Sequence, residues 1–155
     1  TESEHCAIDV KYCEIEFDLK AGFACGYWAE NSKLIFLKSA GVACADMVVN
    51  TDVIFLGDVD LKSLHLGLNS RFFAKNKEIL SSIKKQHNEL NSWQAQRHFN
   101  TKDANHKLIS KNHYYLIDDE YNIKPYDLKT KFIVPLFGKK FDKEEFSEDI
   151  RRRIL

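Results

Sequence analysis

The sequence predicts a single α/β domain over residues 1–155, built on a mostly parallel sheet flanked by helices. Short continuous runs of β-branched and aromatic residues are typical of strands buried on both faces, and they alternate with segments of helical character. A chain of 155 residues with 44% hydrophobic and 30% charged residues has the length and composition of one globular core. No second domain is predicted.

The charge balance excludes several classes of partner. Twenty-three basic residues balance twenty-three acidic ones, so no general field attracts nucleic acid or an anionic membrane. No run approaches the roughly 18 apolar residues that span a bilayer. The first residues, Thr1-Glu2-Ser3-Glu4, do not resemble a secretory signal. We therefore expect a soluble, cytoplasmic protein.

The four cysteines indicate the redox environment. They form no Cys-x-x-Cys pair and have no histidines at zinc-finger spacing, and each lies among apolar neighbours, where a reduced thiol acts as a small core residue. We expect four free thiols and a reducing compartment. The positions are Cys6, Cys13, Cys25 and Cys44.

The first half of the chain predicts a strand-helix-strand unit. An extended segment covers 6–17, and buried strands are predicted at 33–37 and within 47–56. The small residues of 39–46 predict a short helix between those two strands. Since ligands of open parallel sheets bind beyond the carboxyl ends of the strands, a site is expected near residues 56–57.

The second half predicts two helices and two further strands. A stripe at helical spacing predicts the longest helix, capped at Asn69 or Ser70 and running to Leu90. A last helix is predicted from the capping box of Asp142 and Glu145 and from basic residues near its end. No internal repeat is apparent. Between the helices we predict a loop at 100–112, strands at 114–117 and 132–134, and a turn at 118–120.

Two pairs of oxygen-bearing side chains flank the second buried strand. Asn50 and Asp52 precede its apolar run, and Asp58 and Asp60 follow it. Carboxyl-type groups two residues apart at a strand end can share one hard divalent cation. Such a cation, Mn²⁺ or Mg²⁺, would neutralise a diphosphate leaving group.

The same region resembles the metal motif of GT-A-fold glycosyltransferases of the glycogenin and galactosyltransferase-like type. The segment is Asn50-Thr-Asp-Val-Ile-Phe-Leu-Gly-Asp-Val-Asp-Leu-Lys-Ser-Leu64. Further elements follow in the family's order: Gly67-Leu-Asn-Ser-Arg-Phe-Phe, Trp93-Gln-Ala-Gln-Arg-His-Phe-Asn100, Tyr114-Tyr-Leu-Ile-Asp-Asp-Glu-Tyr-Asn122 and Ile133-Val-Pro-Leu-Phe-Gly-Lys-Lys140. The resemblance covers roughly residues 33–140. It implies a GT-A-like, Rossmann-like fold that transfers sugar from a nucleotide-sugar to an acceptor.

The resemblance also implies roles for particular residues. Asp52 and Asn50 would bind the metal, with Asp58 and Asp60 as the second candidate pair. Gln96 would face the acceptor as the catalytic residue. The nucleotide-sugar would be held by Lys139, Lys140 and Asn122.

Three departures from the family pattern weaken the expectation of activity. Asn50 is neutral where the family has its first metal aspartate, and Pro135 stands where the family has a metal-binding histidine. The chain is also shorter than the family's enzymes, which is consistent with a truncated fold.

Two other functions fit the sequence. A non-catalytic binding protein, such as an immunity protein, needs no intact metal site. A metal-dependent nuclease would use Asp46, Asp60 and Lys62, although the absence of net positive charge argues against a DNA substrate.

Overall fold

The architecture is a small β-solenoid. The structure, a computed structural model, describes residues 2–90, 92–99, 111–127 and 141–154. Successive coils of the chain each contribute one strand to a parallel sheet. The first four strands of that sheet are connected by turns and two-residue strands, not by crossover helices. The predicted GT-A-like, Rossmann-like fold is therefore wrong. Short strands buried on both faces are common to both architectures, and the connections between strands distinguish them.

One six-stranded sheet forms the main wall of the solenoid. In spatial order its strands are β10, β9, β8, β6, β4 and β2, all parallel except β10, which pairs antiparallel with β9. Their bounds are β2 Glu14–Phe17, β4 Lys33–Phe36, β6 Asp52–Phe55, β8 Arg71–Ala74, β9 His113–Ile117 and β10 Ile123–Pro125. Two short parallel pairs build the other walls: β1 Glu2–Ser3 with β3 Lys20–Ala21, and β5 Val48–Val49 with β7 Gly67–Leu68.

The register reveals an internal repeat that the sequence reading did not detect. Glu14 pairs with Lys33, Lys33 with Asp52 and Asp52 with Arg71, so each coil takes 19 residues. At each stacked position, successive coils share a general property, such as being apolar or charged, but not the residue type. The repeat is therefore inconspicuous in the letters of the sequence.

The interior is built from apolar columns. One column contains three aromatic rings, in which Phe36 lies 4.5 Å from Phe17 and 5.3 Å from Phe55 between ring centroids. Cys25 and Cys44 are buried in the same core, and burial raises the pKa of Cys44 to about 11. All four cysteines are free thiols, as predicted.

The corners of the coils use backbone conformations that helices do not. Ala43, Ala45 and Met47 have φ of 61°, 52° and 56°, so the helix predicted at 39–46 is wrong and this segment turns instead. Neighbouring coils also approach closely, since a Cβ on Gly41 would lie 2.7 Å from the carbonyl oxygen of Gly22. Small residues here serve coil stacking rather than helix formation.

The longest helix starts later than predicted. Phe72 and Phe73 belong to strand β8, and helix α1 spans Lys77–Glu89. Its cap is Asn76, whose Oδ1 accepts a hydrogen bond of 2.7 Å from the amide of Glu78. In the sequence, the apolar residues of the preceding buried strand and those of the helix form one apparent stripe at helical spacing.

Two more helices cover the solenoid. Helix α2, Ser92–Phe99, packs through Ala95 against Leu66 and Leu68. Helix α3, Lys143–Ile154, is confirmed as predicted, and Asp142 caps it by accepting the amides of residues 144 and 145. None of the helices in the described ranges is long and apolar enough to cross a bilayer.

Helix α3 lies against the outer face of the six-stranded sheet. Phe146 and Ile150 are buried against one outward-facing residue from each of four strands. Those four residues are Ile35, Ile54, Phe73 and Tyr115. Residues 100–110 of the loop predicted at 100–112, and the strand predicted at 132–134, lie outside the described residues.

Candidate functional site

Asn50 belongs to a ladder of asparagines on one corner of the solenoid. Its Nδ2 donates to Oδ1 of Asn31, and its Oδ1 accepts a hydrogen bond of 3.0 Å from Nδ2 of Asn69. All three residues have φ between 47° and 52°, a conformation that asparagine tolerates better than most residues. The side chain of Asn50 is therefore used in hydrogen bonds that join adjacent coils.

Asp52 is held in a buried ion pair. Nε and Nη2 of Arg71 donate to its two carboxylate oxygens at 2.5 and 2.6 Å. The guanidinium of Arg71 also lies 4.5 Å from the ring centroid of Phe141. The bidentate arginine engages both carboxylate oxygens of Asp52, and the ladder engages both polar atoms of the Asn50 side chain.

Asp58 and Asp60 lie beside a shallow groove along another corner. Oδ1 of Asp60 accepts a hydrogen bond of 2.9 Å from the amide of Lys62, as in a turn. The groove is otherwise lined largely by glycines and apolar side chains. Within the described ranges, no group of three or more histidine, cysteine or carboxylate side chains could hold a metal ion.

The remaining residues of the glycosyltransferase prediction occupy separate places. Gln96 is exposed on helix α2. Asn122 follows the turn after β9, where its Oδ1 accepts a hydrogen bond of 3.0 Å from Arg151. Lys139 and Lys140 lie outside the described residues.

The nuclease residues have structural partners too. Asp46 is buried, and its Oδ1 accepts the amides of Met47 at 2.9 Å and Leu66 at 2.8 Å. Burial raises the pKa of Asp46 above its ordinary value. Lys62 is exposed.

A buried histidine joins the coils to helix α1 and strand β9. Nε2 of His87 donates to the carbonyl oxygen of His65 at 3.0 Å, and its Nδ1 accepts from the hydroxyl of Tyr114 at 2.6 Å. Burial lowers the pKa of His87 to about 4, so the ring is neutral near pH 7. The sequence predicts only a surface or capping role for His87, because the sequence alone does not show which helical histidines are buried.

A cleft between helix α2 and the solenoid combines two exposed tryptophans. Trp28 on a coil corner is 43% exposed, and Trp93 on the helix is 65% exposed. The cleft has a volume of about 550 Å³. We call it the tryptophan cleft, and its lining in the described residues is Tyr27, Trp28, Met47, Trp93, Gln94, Arg97 and His98.

Contacts inside the tryptophan cleft hold its side chains in place. The hydroxyl of Tyr27 donates to the sulfur of Met47 at 3.0 Å, and the rings of Tyr27 and Trp28 lie 5.5 Å apart. The guanidinium of Arg97 lies 5.6 Å from the ring of Trp93. Aromatic residues, methionine and arginine are the types enriched where proteins bind proteins.

Two residues of the tryptophan cleft have unusual backbone conformations. Trp28 and Met47 have φ of 62° and 56°, a region that bulky residues rarely adopt. The corner geometry requires positive φ here, and glycine would satisfy it at less cost. Trp28 is held outward at such a corner, whereas Met47 is buried beneath the cleft.

A larger depression lies between α1 and β10, with a volume of about 930 Å³. Its lysines are partly neutralised, since Lys84 pairs with Asp127 and Lys85 lies 4.0 Å from Glu89. Its lining is mostly charged and polar. Its composition therefore resembles that of a protein-binding surface less closely than the lining of the tryptophan cleft does.

Comparison of the chain with protein families, curated proteins and solved structures gave no match in any of the three.

Proposed function

We propose that this chain is a non-catalytic binding protein that recognises a protein partner through the tryptophan cleft. The observation that carries the proposal is the pair of exposed tryptophans, Trp28 and Trp93, beside Arg97 in one concave surface. Buried tryptophan and arginine anchors supply most of the energy of typical protein interfaces.

The hydrogen-bond partners of three polar side chains, on corners and in strand β6, support the same proposal. Asn50, Asp52 and Asp46 all bind neighbouring coils, and their hydrogen bonds stabilise the scaffold. The glycosyltransferase function stays a prediction, and the described geometry of its residues does not favour it. The free thiols are consistent with the proposed reducing, cytoplasmic location.

The charge of the tryptophan cleft suggests which kind of partner surface binds there. Arg97 and His98 lie beside the aromatic rings, and the described lining contains no acidic side chain. A partner segment with an apolar side chain next to a carboxylate would match both features.

The first prediction concerns Trp93. We expect Trp93→Ala to weaken partner binding at least tenfold, because truncating a central aromatic anchor typically costs about 2 kcal/mol or more. Proteins captured by the immobilised wild type would be identified by mass spectrometry, purified and titrated against wild type and variant. Lys85→Ala, an exposed site on helix α1, is the matched control and should bind like the wild type.

A ligand titration separates this function from glycosyl transfer. We expect UDP, GDP and their sugars, with or without Mn²⁺, to leave the melting temperature unchanged, since only a ligand of the native state raises it. A metal-dependent rise that Asp60→Ala abolishes would support the transferase instead. Asp60→Ala is preferable to Asp52→Ala because the latter disrupts the buried ion pair with Arg71.

A further inference from the structure

A column of exposed apolar side chains runs along one corner of the solenoid. Phe23, Val42 and Leu61 follow one another at 19-residue intervals, at equivalent positions of three successive coils. They are 47%, 44% and 41% exposed. Neighbouring parallel strands lie about 4.8 Å apart, so these three side chains are neighbours. Single exposed apolar residues are ordinary on protein surfaces, whereas a contiguous apolar patch marks a site of interaction.

This column borders a groove that crosses three successive coils. Residues 20–23, 39–42 and 58–60, together with Glu4, line it in the described part of the chain, and its volume is about 450 Å³. We call it the corner groove. The corner groove and the tryptophan cleft have no lining residue in common among the described residues, so the two surfaces are separate.

Two glycines leave the corner groove open to close approach. Gly22 and Gly41 occupy equivalent positions of adjacent coils, and each follows a buried alanine of the wall. Because successive positions of a strand face opposite sides, the glycine positions face outward, and they carry no side chain. A partner can therefore approach the backbone more closely here than over larger side chains.

The backbone of this wall is already paired within the chain. The amide of Ala21 donates to the carbonyl oxygen of Ser39 at 2.9 Å, and the amide of Gly41 donates to that of Ala21 at 2.8 Å. The amide of Ala40 donates to the carbonyl oxygen of Asp58 at 2.8 Å. An added strand would compete with these bonds, whereas a helix satisfies its own backbone groups and binds through side chains.

Helix α3 shows how a wall of this solenoid is covered. Phe146 and Ile150, one helical turn apart, are buried against outward-facing residues from four strands of the six-stranded sheet. The pitch of a helix is about 5.4 Å and neighbouring strands lie about 4.8 Å apart, so successive helical turns can contact successive coils. The apolar column beside the corner groove has the spacing that such a helix requires.

The charge of the corner groove indicates which helix fits it. Its described lining includes the three carboxylates of Glu4, Asp58 and Asp60 and the one amine of Lys20. Glu4 and Asp58 are exposed. Basic residues beside the apolar stripe of a helix would complement this surface.

We propose that the corner groove is a docking site for an amphipathic helix of a partner protein, with basic residues beside its apolar stripe. The helix lies along the solenoid axis, and its apolar residues, one turn apart, pack on Phe23, Val42 and Leu61. Its basic residues face Glu4 and Asp58. This site does not depend on the function proposed for the tryptophan cleft.

The probe is a fluorescein-labelled, alanine-rich helical peptide of about 18 residues, since shorter helices are marginal in water. Leucines at helical spacing form one stripe, and lysines flank it. We expect saturable binding to the full chain by fluorescence anisotropy. Binding should weaken at least tenfold when the same residues are reordered to break the stripe, or when glutamates replace the lysines. No binding of the parent peptide, or equal binding of all three peptides, would overturn the proposal.

Variants on two surfaces locate the binding. Phe23→Asp/Val42→Asp changes only exposed side chains and should weaken binding of the basic peptide at least tenfold. Glu4→Lys/Asp58→Lys should also weaken binding of the basic peptide and should strengthen that of the glutamate peptide. Trp93→Asp, the matched change in the tryptophan cleft, should bind as the wild type does. Loss of binding in Trp93→Asp but not in the groove variants would contradict the proposal.

Photocrosslinking needs only the wild type and therefore stands even if a variant does not fold. A benzophenone side chain replaces one leucine at the centre of the stripe, and the crosslinked residues are identified by mass spectrometry. We expect crosslinks within residues 20–23, 39–42 and 58–61. Crosslinks concentrated elsewhere, or a wild-type dimer formed through these residues that excludes the peptide, would refute docking of a partner helix in the corner groove.

Discussion

At the scale of single residues, this protein uses charged and amide side chains to fasten one coil to the next. Arg71 and Asp52 are the clearest case, with buried side chains and two short hydrogen bonds between adjacent strands. Breaking a buried pair from one side costs more than replacing both partners, because the remaining charge loses its compensation. The sequence motif that suggested a metal ligand is explained equally well by this pair.

Removal of the carboxylate should therefore destabilise the fold. We expect Asp52→Ala to lower the free energy of unfolding by about 3–5 kcal/mol in urea titrations, with no dependence on Mn²⁺. The double variant Asp52→Leu/Arg71→Leu should recover much of that loss, since it removes both charges together. An Asp52→Ala variant as stable as the wild type would refute the structural role.

At the scale of elements, the corners determine the fold as much as the strands do. The asparagine ladder, with Asn31, Asn50 and Asn69 at equivalent corners, links three consecutive coils by side-chain amides. Each ladder residue also has positive φ, so a substitution there affects both a hydrogen bond and the backbone conformation.

Two substitutions separate these contributions. We expect Asn50→Ala to lower the free energy of unfolding by about 2–3 kcal/mol, because it loses the ladder bonds and adds backbone strain at φ 52°. Asn50→Gly should cost about 1 kcal/mol less than alanine, since glycine adopts this φ freely. Equal stability of the two variants in denaturant titrations would show that backbone strain contributes nothing here.

At the scale of the whole molecule, a buried neutral histidine couples stability to pH. His87 binds helix α1 to the coils and to β9. Its pKa is about 4 in the native state, below the value of about 6.5 expected when unfolded, so the unfolded state binds more protons between these values. Stability from this residue is present above pH 6.5 and is lost as the pH falls towards 4.

The size of this effect is measurable. We expect the free energy of unfolding to fall by up to about 3 kcal/mol between pH 6.5 and 4 through His87. His113, whose pKa burial also lowers, acts in the same direction, whereas Asp46, with its raised pKa, opposes it. His87→Gln retains a donor and an acceptor and should flatten the profile. Parallel profiles for wild type and variant would exclude His87 as the source.

Sequence reasoning recovered the buried strands but not their arrangement. The apolar runs in β4, β6 and β9 and the capped helix α3 were readable because burial and capping leave local signals. The connections were misread, since the alanines of 39–46 favour a helix unless positive φ is imposed by the coils on either side. The tryptophan cleft unites residues 65 positions apart in sequence, Trp28 and Trp93, which no local pattern relates.

The 19-residue spacing of the coils also has a kinetic meaning. Strands β2, β4, β6 and β8 each pair with a strand 19 residues away along the chain, so adjacent coils close small loops of equal entropic cost. Strand β9 instead joins β8 across 42 residues, a span that includes both α1 and α2. The coils are therefore expected to zip together first, and the closing of β9 over them to be the slowest step in reaching the native state.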